Sequence, residues 1–345
     1  MPPLRIGIVG AGGIARQRHI PNFKRIADVV LAGVANRSRE SSERAAREHG
    51  FRKAYDRWQD LVADPEIDAV VCSAWPYMHE PVTVAALEAG KHILCQGRMA
   101  RDAGEAKRML AAHEARPNLV AQVVPYPNTL GVDATVKQLL SSGAVGDVLE
   151  VDVIATTGQS LDASAPLHWR QRSDYSGVNM LFIGAHYETM LRYLPPVERV
   201  LADGAVYVPS RVDPDTGQPA EVPIPDAITV LASRGPRHRQ VYHLSAAHSG
   251  PPTTVYELHG SQGALRIAGG RLYRAGARDR EWTQVEIAPG MAADWEVEAQ
   301  FVASIREGRP VTLTSFEDGE RYMEFTEAAW RSWQEGRAMS LPLQD

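Results

Sequence analysis

The chain has 345 residues, 44% of them apolar and 23% charged, and a net charge of −5. That length suits two ordinary domains, and the composition suits a folded globular protein rather than a disordered or fibrous one. A weak acidic balance with no dominant Lys/Arg run argues against nucleic acid or an anionic membrane as the main partner.

The opening MPPLRIGIVG passes at once into an apolar run. No secretory-type segment precedes it and no apolar stretch reaches membrane-spanning length, so a cytoplasmic protein is expected. Cys72 and Cys95, the two cysteines, each sit in an apolar run and read as reduced core thiols. Eleven scattered histidines, with no His-x-x-x-His or Cys-x-x-Cys pair, give no metal site.

In the first part Leu4–Val9, Val29–Ala35, Ala69–Cys72 and His92–Cys95 are apolar almost throughout, as parallel strands covered on both faces must be. Helical patterns lie between them. One covers 42–49 and stops at Gly50, and one is opened by Pro81 and stops at Gly90. A third runs from a capping box at Asp102 and Glu105 to Glu114. Repeated strand–helix alternation predicts a doubly wound parallel sheet.

After about residue 122 the pattern changes, and the expected division is 1–122 and 123–345. A helix over 131–142 ends at Gly143, and DVLEVDVIA then alternates polar with apolar residues, which suits a sheet wet on one face. Further strands are expected at 227–232, 240–245, 253–259 and 264–267, the last two joined by a tight hairpin at Gly260-Ser-Gln-Gly263. Residues 209–225, rich in Pro, Asp and Gly, read as a surface loop. A helix over 315–335 closes the chain, stopped by Gly336, and its Tyr322, Met323, Trp330 and Trp333 stripe is expected to pack at the domain boundary.

Gly10-Ala-Gly12-Gly13-Ile14-Ala15 stands between the first strand and the first helix. Gly10 suits a tight turn, Gly12 a close approach of backbone to a pyrophosphate, and Ala15 close packing of helix on strand. With RIGIV before it, the stretch predicts dinucleotide binding, with Gly13 and Ile14 at the phosphates. The tip of the second strand reads Ala35-Asn36-Arg37-Ser38, without the acidic residue that binds a ribose 2'-hydroxyl. An amide, a guanidinium and a hydroxyl lean toward NADP over NAD. Arg37 is equally able to stack on adenine, or to be a plain surface arginine.

Taken together, GIVGAGGIARQRHIP, ALEAGKHILC, PLHWR and the C-terminal GSQGALRI and FEDGERYMEFTEAAWRSWQEGR resemble the Gfo/Idh/MocA family over nearly the whole chain. The resemblance implies an N-terminal Rossmann domain and a C-terminal α/β domain with a large, mostly antiparallel open sheet. It also implies hydride transfer between NAD(P) and a hydroxyl carbon of a sugar, cyclitol or similar small molecule. Homodimers or homotetramers formed through that sheet are the expected assembly.

Typical members follow ALEAGKHILC with Glu-Lys-Pro, whose lysine helps polarise or deprotonate the reacting hydroxyl. Here Gln96, Gly97 and Arg98 stand at those places, with Gln96 expected beside the cofactor. The second family signature falls on 176–186, where Phe182 replaces the aspartate and His186 keeps the histidine. His186 is then the matched acid/base, unless it only packs at a helix start. Arg98 cannot be a base at neutral pH, but it suits a developing alkoxide or an anionic substrate, or a structural salt bridge. Glu188 is a second acid/base or hydroxyl ligand, or a buried partner of Arg170 or Arg192; Tyr187 is a weaker option.

The resemblance also implies cofactor contacts at Ala74, Trp75 and His79, in the loop after Ala69–Cys72, though His79 is as well suited to cap the next helix. Trp169 and Arg170 match a family pair near cofactor and substrate, with His168 before them as a reserve acid/base. Asn179, Tyr126 and Asn128 are candidate substrate contacts. Three functions stay open: a sugar-type oxidoreductase, a redox-neutral glycosidase or lyase that retains its dinucleotide, and a non-catalytic dinucleotide sensor.

Overall fold

The computed structural model describes residues 2–344; the outer ends of the two expected domains, Met1 and Asp345, lie outside it. The chain divides into two compact units, Met1–Pro125 with Glu296–Met323 and Tyr126–Trp295 with Glu324–Asp345. The crossing between them thus falls at 125/126 rather than 122/123, and the chain returns to the first unit at Glu296. Periodicity does not reveal such a return.

The first unit holds a six-stranded, all-parallel sheet in the order Lys53–Tyr55, Val29–Ala35, Leu4–Val9, Ala69–Cys72, His92–Cys95, Ala121–Val123. This is the 3-2-1-4-5-6 order of dinucleotide-binding folds, in which ligands meet the carboxyl ends of the strands. Ala69–Cys72 is buried at every residue, which explains its continuous apolar run. The return segment joins this sheet at its edge, where the amide of Val123 donates to the carbonyl of Thr314 at 3.0 Å.

Helix ends follow local chemistry. Arg39–His49 starts three residues before the periodicity suggests, because Ser38 and Ser41 form a reciprocal capping box, and Gly50 ends it at φ +73°. Pro81 lies within the first turn of His79–Glu88 rather than opening it, since no first-turn N–H is needed there. Asp102 caps Ala103–Glu114 by accepting from the Glu105 amide at 2.8 Å, but Glu105 reaches back to the amide of Arg101. Cys72 and Cys95 are free and buried, and burial pushes the Cys72 thiol up to about 12.

The second unit is built on a nine-stranded sheet ordered Thr283–Gln284, Arg271–Gly276, Gly263–Ala268, Thr253–Gly260, Val148–Thr156, His238–Ser245, Ala227–Arg234, Arg199–Ala205, Met339–Ser340. Every pairing is antiparallel except Val148–Thr156 with His238–Ser245. One face buries Val151, Val153, Tyr242, Leu244, Tyr256 and Leu258. Tyr187 of the helix Ile183–Leu191 packs there, stacked 3.9 Å from Phe325 of the helix Phe316–Glu335. The other face leaves Ile154 41% and Leu231 51% exposed. Through the register Ile154↔His243 and Leu231↔Val241, both apolar residues share that face.

The expected loop at 209–225 carries a small two-stranded ribbon, Ser210–Val212 with Pro219–Glu221. No helix among the described residues is long and apolar enough to cross a membrane.

Candidate functional site

In the first unit Leu4–Val9 delivers the chain to Gly10, whose φ of +86° lies in the left-handed region. A methyl group there would stand 2.7 Å from the Ala74 amide nitrogen, so turn and close approach both require glycine. At Gly12 and Gly13 a methyl would meet nothing within 4 Å. This backbone edge, bare of side chains and followed by Ile14 at the start of the first helix, opens on a cleft of about 370 Å³. Arg16, Asn36, Arg37 and Trp75 also line it. Its size and its glycine edge fit the phosphates and ribose of a dinucleotide.

Asn36 is not left loose at the tip of its strand. Its Oδ1 accepts from the Ala11 amide at 2.7 Å and its Nδ2 donates to the Ser41 carbonyl at 3.0 Å, tying the glycine turn to the next helix. The Ser38 hydroxyl is engaged in capping that helix. Arg37 and Arg16 are exposed, and neither guanidinium makes a hydrogen bond or ion pair among the described residues. Two guanidiniums thus remain for phosphate oxygens.

The segment after His92–Cys95 is held from three sides within the first unit. Gln96 Oε1 lies 2.9 Å from His19 Nε2, the Arg98 carbonyl 2.8 Å from His79 Nδ1, and the Met99 amide donates to the Tyr322 hydroxyl. His79 also meets the Ala74 carbonyl through Nε2 at 3.1 Å, so one buried ring fastens two strand-end loops together. Desolvation lowers its pKa. His79 therefore stands behind the loop rather than on its surface, while Trp75 faces the cleft. Arg98 is buried. A methyl at Gly97 would stand 2.7 Å from the Val124 carbonyl oxygen, so the place of the family's lysine is closed to a side chain in this backbone.

In the second unit His186 lies on Ile183–Leu191, buried, with Nδ1 2.8 Å from the Tyr256 hydroxyl. Burial draws its pKa from 6.5 down to about 4, so the ring is neutral near pH 7. Thr189 donates its hydroxyl proton to the Ala185 carbonyl at 3.1 Å. Burial keeps the Tyr256 phenol protonated. With Nδ1 on the Tyr256 hydroxyl, Nε2 makes no hydrogen bond among the described residues and is the ring nitrogen left for a ligand.

Tyr126 packs edge-on against His186, with centroids 5.2 Å apart, and stacks on Phe182 at 6.1 Å. Asn128 lies beside the Tyr256 hydroxyl. Glu188 is held by Arg192 through both oxygens, at 2.9 and 2.6 Å, and also accepts from the Tyr126 amide at 3.2 Å. The Tyr187 hydroxyl accepts from the Val197 amide at 2.9 Å inside the core. Asn179 is buried and donates to the Ser176 carbonyl at 2.6 Å. Exposed His168 caps the turn Trp169–Gln171, where the Arg170 guanidinium lies 4.2 Å over the Trp169 ring.

Several residues of this chemistry escape a reading of the sequence. His19 Nδ1 pairs with Glu298 at 2.6 Å across 279 positions, and Tyr256, which orients His186, lies 70 positions away. On the outward sheet face Asp152, Glu257 and His259 come within 4.8 Å of one another. His259 Nε2 lies 3.5 and 3.3 Å from these two carboxylates, and Arg266 pairs with Glu257 at 3.4 Å.

Comparison with known proteins agrees with both units. Residues 4–124 match the model for the Gfo/Idh/MocA oxidoreductase family with its NAD-binding Rossmann fold, and residues 134–266 match the family's C-terminal domain. The chain is 27% identical over 288 residues to the levoglucosan dehydrogenase of Pseudarthrobacter phenanthrenivorans, covering 77% of this chain and 73% of that protein. It is 24% identical to the myo-inositol 2-dehydrogenase of Thermotoga maritima, over 98% of each. A levoglucosan dehydrogenase solved with NADH and L-sorbose superposes with a TM-score of 0.87 at 22% identity, over all of both chains. With its dinucleotide cradle in one unit and its open antiparallel sheet in the other, the chain is an oxidoreductase and belongs to the Gfo/Idh/MocA family.

Proposed function

We propose that this oxidoreductase acts on a CH–OH group, or the matching ketone, of a sugar, cyclitol or similar small molecule, with His186 as the acid/base. The observation that carries the reading is a neutral, buried imidazole whose Nδ1 is held by the Tyr256 hydroxyl and whose Nε2 makes no hydrogen bond among the described residues. The curated relatives, a levoglucosan and a myo-inositol dehydrogenase, support the substrate class.

The first unit holds the dinucleotide along Gly10, Gly12 and Gly13, with Trp75 beside it and Gln96, fixed by His19, at the strand ends. Bound NAD(P) supplies the hydride acceptor. Nε2 of His186 takes the hydroxyl proton as the carbon loses hydride, and Tyr256 keeps the ring oriented throughout. Because burial keeps the ring neutral near pH 7, it stands in the form that accepts a proton. Arg98 supports a developing alkoxide or an anionic substrate group. We infer NADP as the preferred cofactor, since Asn36 replaces an acidic residue and Arg37 is unpaired at the strand tip. Self-association through the outward sheet face is supported by the exposed Ile154 and Leu231.

The test is to mix purified protein with NAD+ or NADP+ and a panel of sugars, cyclitols and polyols, and to follow the absorbance of reduced nicotinamide. Net reduction, faster with NADP+, is expected. Cleavage of aryl glycosides without net reduction would replace this reading with a redox-neutral one. Dinucleotide binding with neither activity would leave a sensor.

A further inference from the structure

The second unit carries two arginines two positions apart, in opposite circumstances. Arg172 faces three carboxylates, Asp174 at 2.8 Å, Asp215 at 3.2 Å and Asp213 at 3.4 Å. Arg170 faces none among the described residues. Its guanidinium carbon lies 4.2 Å from the centre of the Trp169 ring and 5.1 Å from that of Phe182, and its Nε is buried without a hydrogen-bond partner. Burial lowers its pKa, with no counter-charge to reverse the shift. Two ring faces return only part of what a guanidinium loses on leaving water.

Phe182, which covers this cation, is itself held in the left-handed region at φ +63°, directly after Leu181 at +46°. Backbone of that kind costs energy in non-glycine residues and gathers where function demands it. The Phe182 ring stacks on Tyr126, and Tyr126 lies edge-on to His186. Cation, two rings and imidazole thus form one continuous row in the second unit.

We infer that Arg170 seats a carboxylate of the substrate, so that the compound oxidised is an acidic sugar or polyol of the uronate or aldonate type rather than a neutral one. A planar guanidinium presents paired donors that match a carboxylate, and an anion there restores the charge balance that Arg172 already has. The phosphates of a dinucleotide are the other source of anionic oxygen. The first unit already offers them the glycine edge and two unpaired arginines, Arg16 and Arg37. The inference rests on the sugar-type reading above and narrows it.

The test is equilibrium binding by calorimetry to the NADPH-loaded protein. The probes are D-glucuronate, D-galacturonate and D-gluconate, each against D-glucose, D-galactose and D-glucitol. Wild type is expected to bind the acids about tenfold or more tightly than their neutral counterparts. Arg170→Gln should abolish that difference, and Arg170→Lys should keep part of it. Equal binding of acids and neutral sugars by wild type overturns the inference without any variant. A loss in Arg170→Gln that appears in NADPH affinity instead assigns the anion to the cofactor and overturns it as well. Arg170-dependent acid binding without net cofactor reduction would uphold the subsite and sink the dehydrogenase reading. Oxidation of neutral sugars alone, unaffected in Arg170→Gln, would do the reverse.

Discussion

Glu188 and Arg192 lie one helical turn apart and close on each other through two hydrogen bonds of 2.9 and 2.6 Å, both side chains almost wholly buried. Arg192 also reaches Asp133 at 2.8 Å and the Tyr126 carbonyl at 2.7 Å, so this cluster positions the chain segment whose Tyr126 ring packs on His186. Removing one partner leaves an uncompensated buried charge. Arg192→Met should therefore cost about 3–5 kcal/mol of stability, read by urea unfolding. Glu188→Gln, which keeps the shape, should lower stability while leaving the pH profile of kcat/KM in place. A shifted profile in Glu188→Gln would make the carboxylate a participant in proton transfer.

Gly10→Ala places a methyl 2.7 Å from the Ala74 amide nitrogen in a left-handed backbone. A loss of about 1–3 kcal/mol is expected. NADPH affinity, followed by nicotinamide fluorescence, should fall with it because the same turn forms the cradle edge. Gly13→Ala has open space and should melt like wild type, yet still weaken NADPH.

Arg37→Glu puts a carboxylate at the strand tip. The ratio of NADPH to NADH affinity is expected to drop by about tenfold or more, since a charge-assisted contact is exchanged for repulsion. An unchanged ratio would return Arg37 to the solvent.

Much of this was legible in the sequence, and the gaps have physical causes. Strands buried on both faces, such as Ala69–Cys72, announce themselves as unbroken apolar runs. Lys53–Tyr55 does not, being a three-residue edge strand with exposed Lys53. Arg199–Ala205 carries Asp203 and Gly204, which read as breakers, yet Gly204 lets Trp333 pack closely on the strand. The Glu188–Arg192 pair was visible as one of two candidates because helical spacing brings i and i+4 together. The contrast between Arg170 and Arg172 was invisible, because Asp213 and Asp215 arrive from a distant loop. The orientation of His186 was equally hidden, since Tyr256 reaches it across a sheet strand.

The outward sheet face exposes Leu231 and Ile154 on neighbouring register positions around Val241. Leu231→Arg should convert an oligomer into monomers by light scattering coupled to gel filtration, with circular dichroism unchanged. A monomeric wild type would contradict association through this face.

The most direct test of the central claim is the pH dependence of kcat/KM for oxidation, measured in wild type and His186→Ala. Oxidation requires the neutral ring, and burial moves its pKa from 6.5 to about 4. Activity should therefore hold as pH falls through 6.5 and fail only near 4, while His186→Ala loses about a hundredfold or more and the limb near 4 disappears. A variant with wild-type kcat/KM and the same acid limb would show that His186 takes no proton.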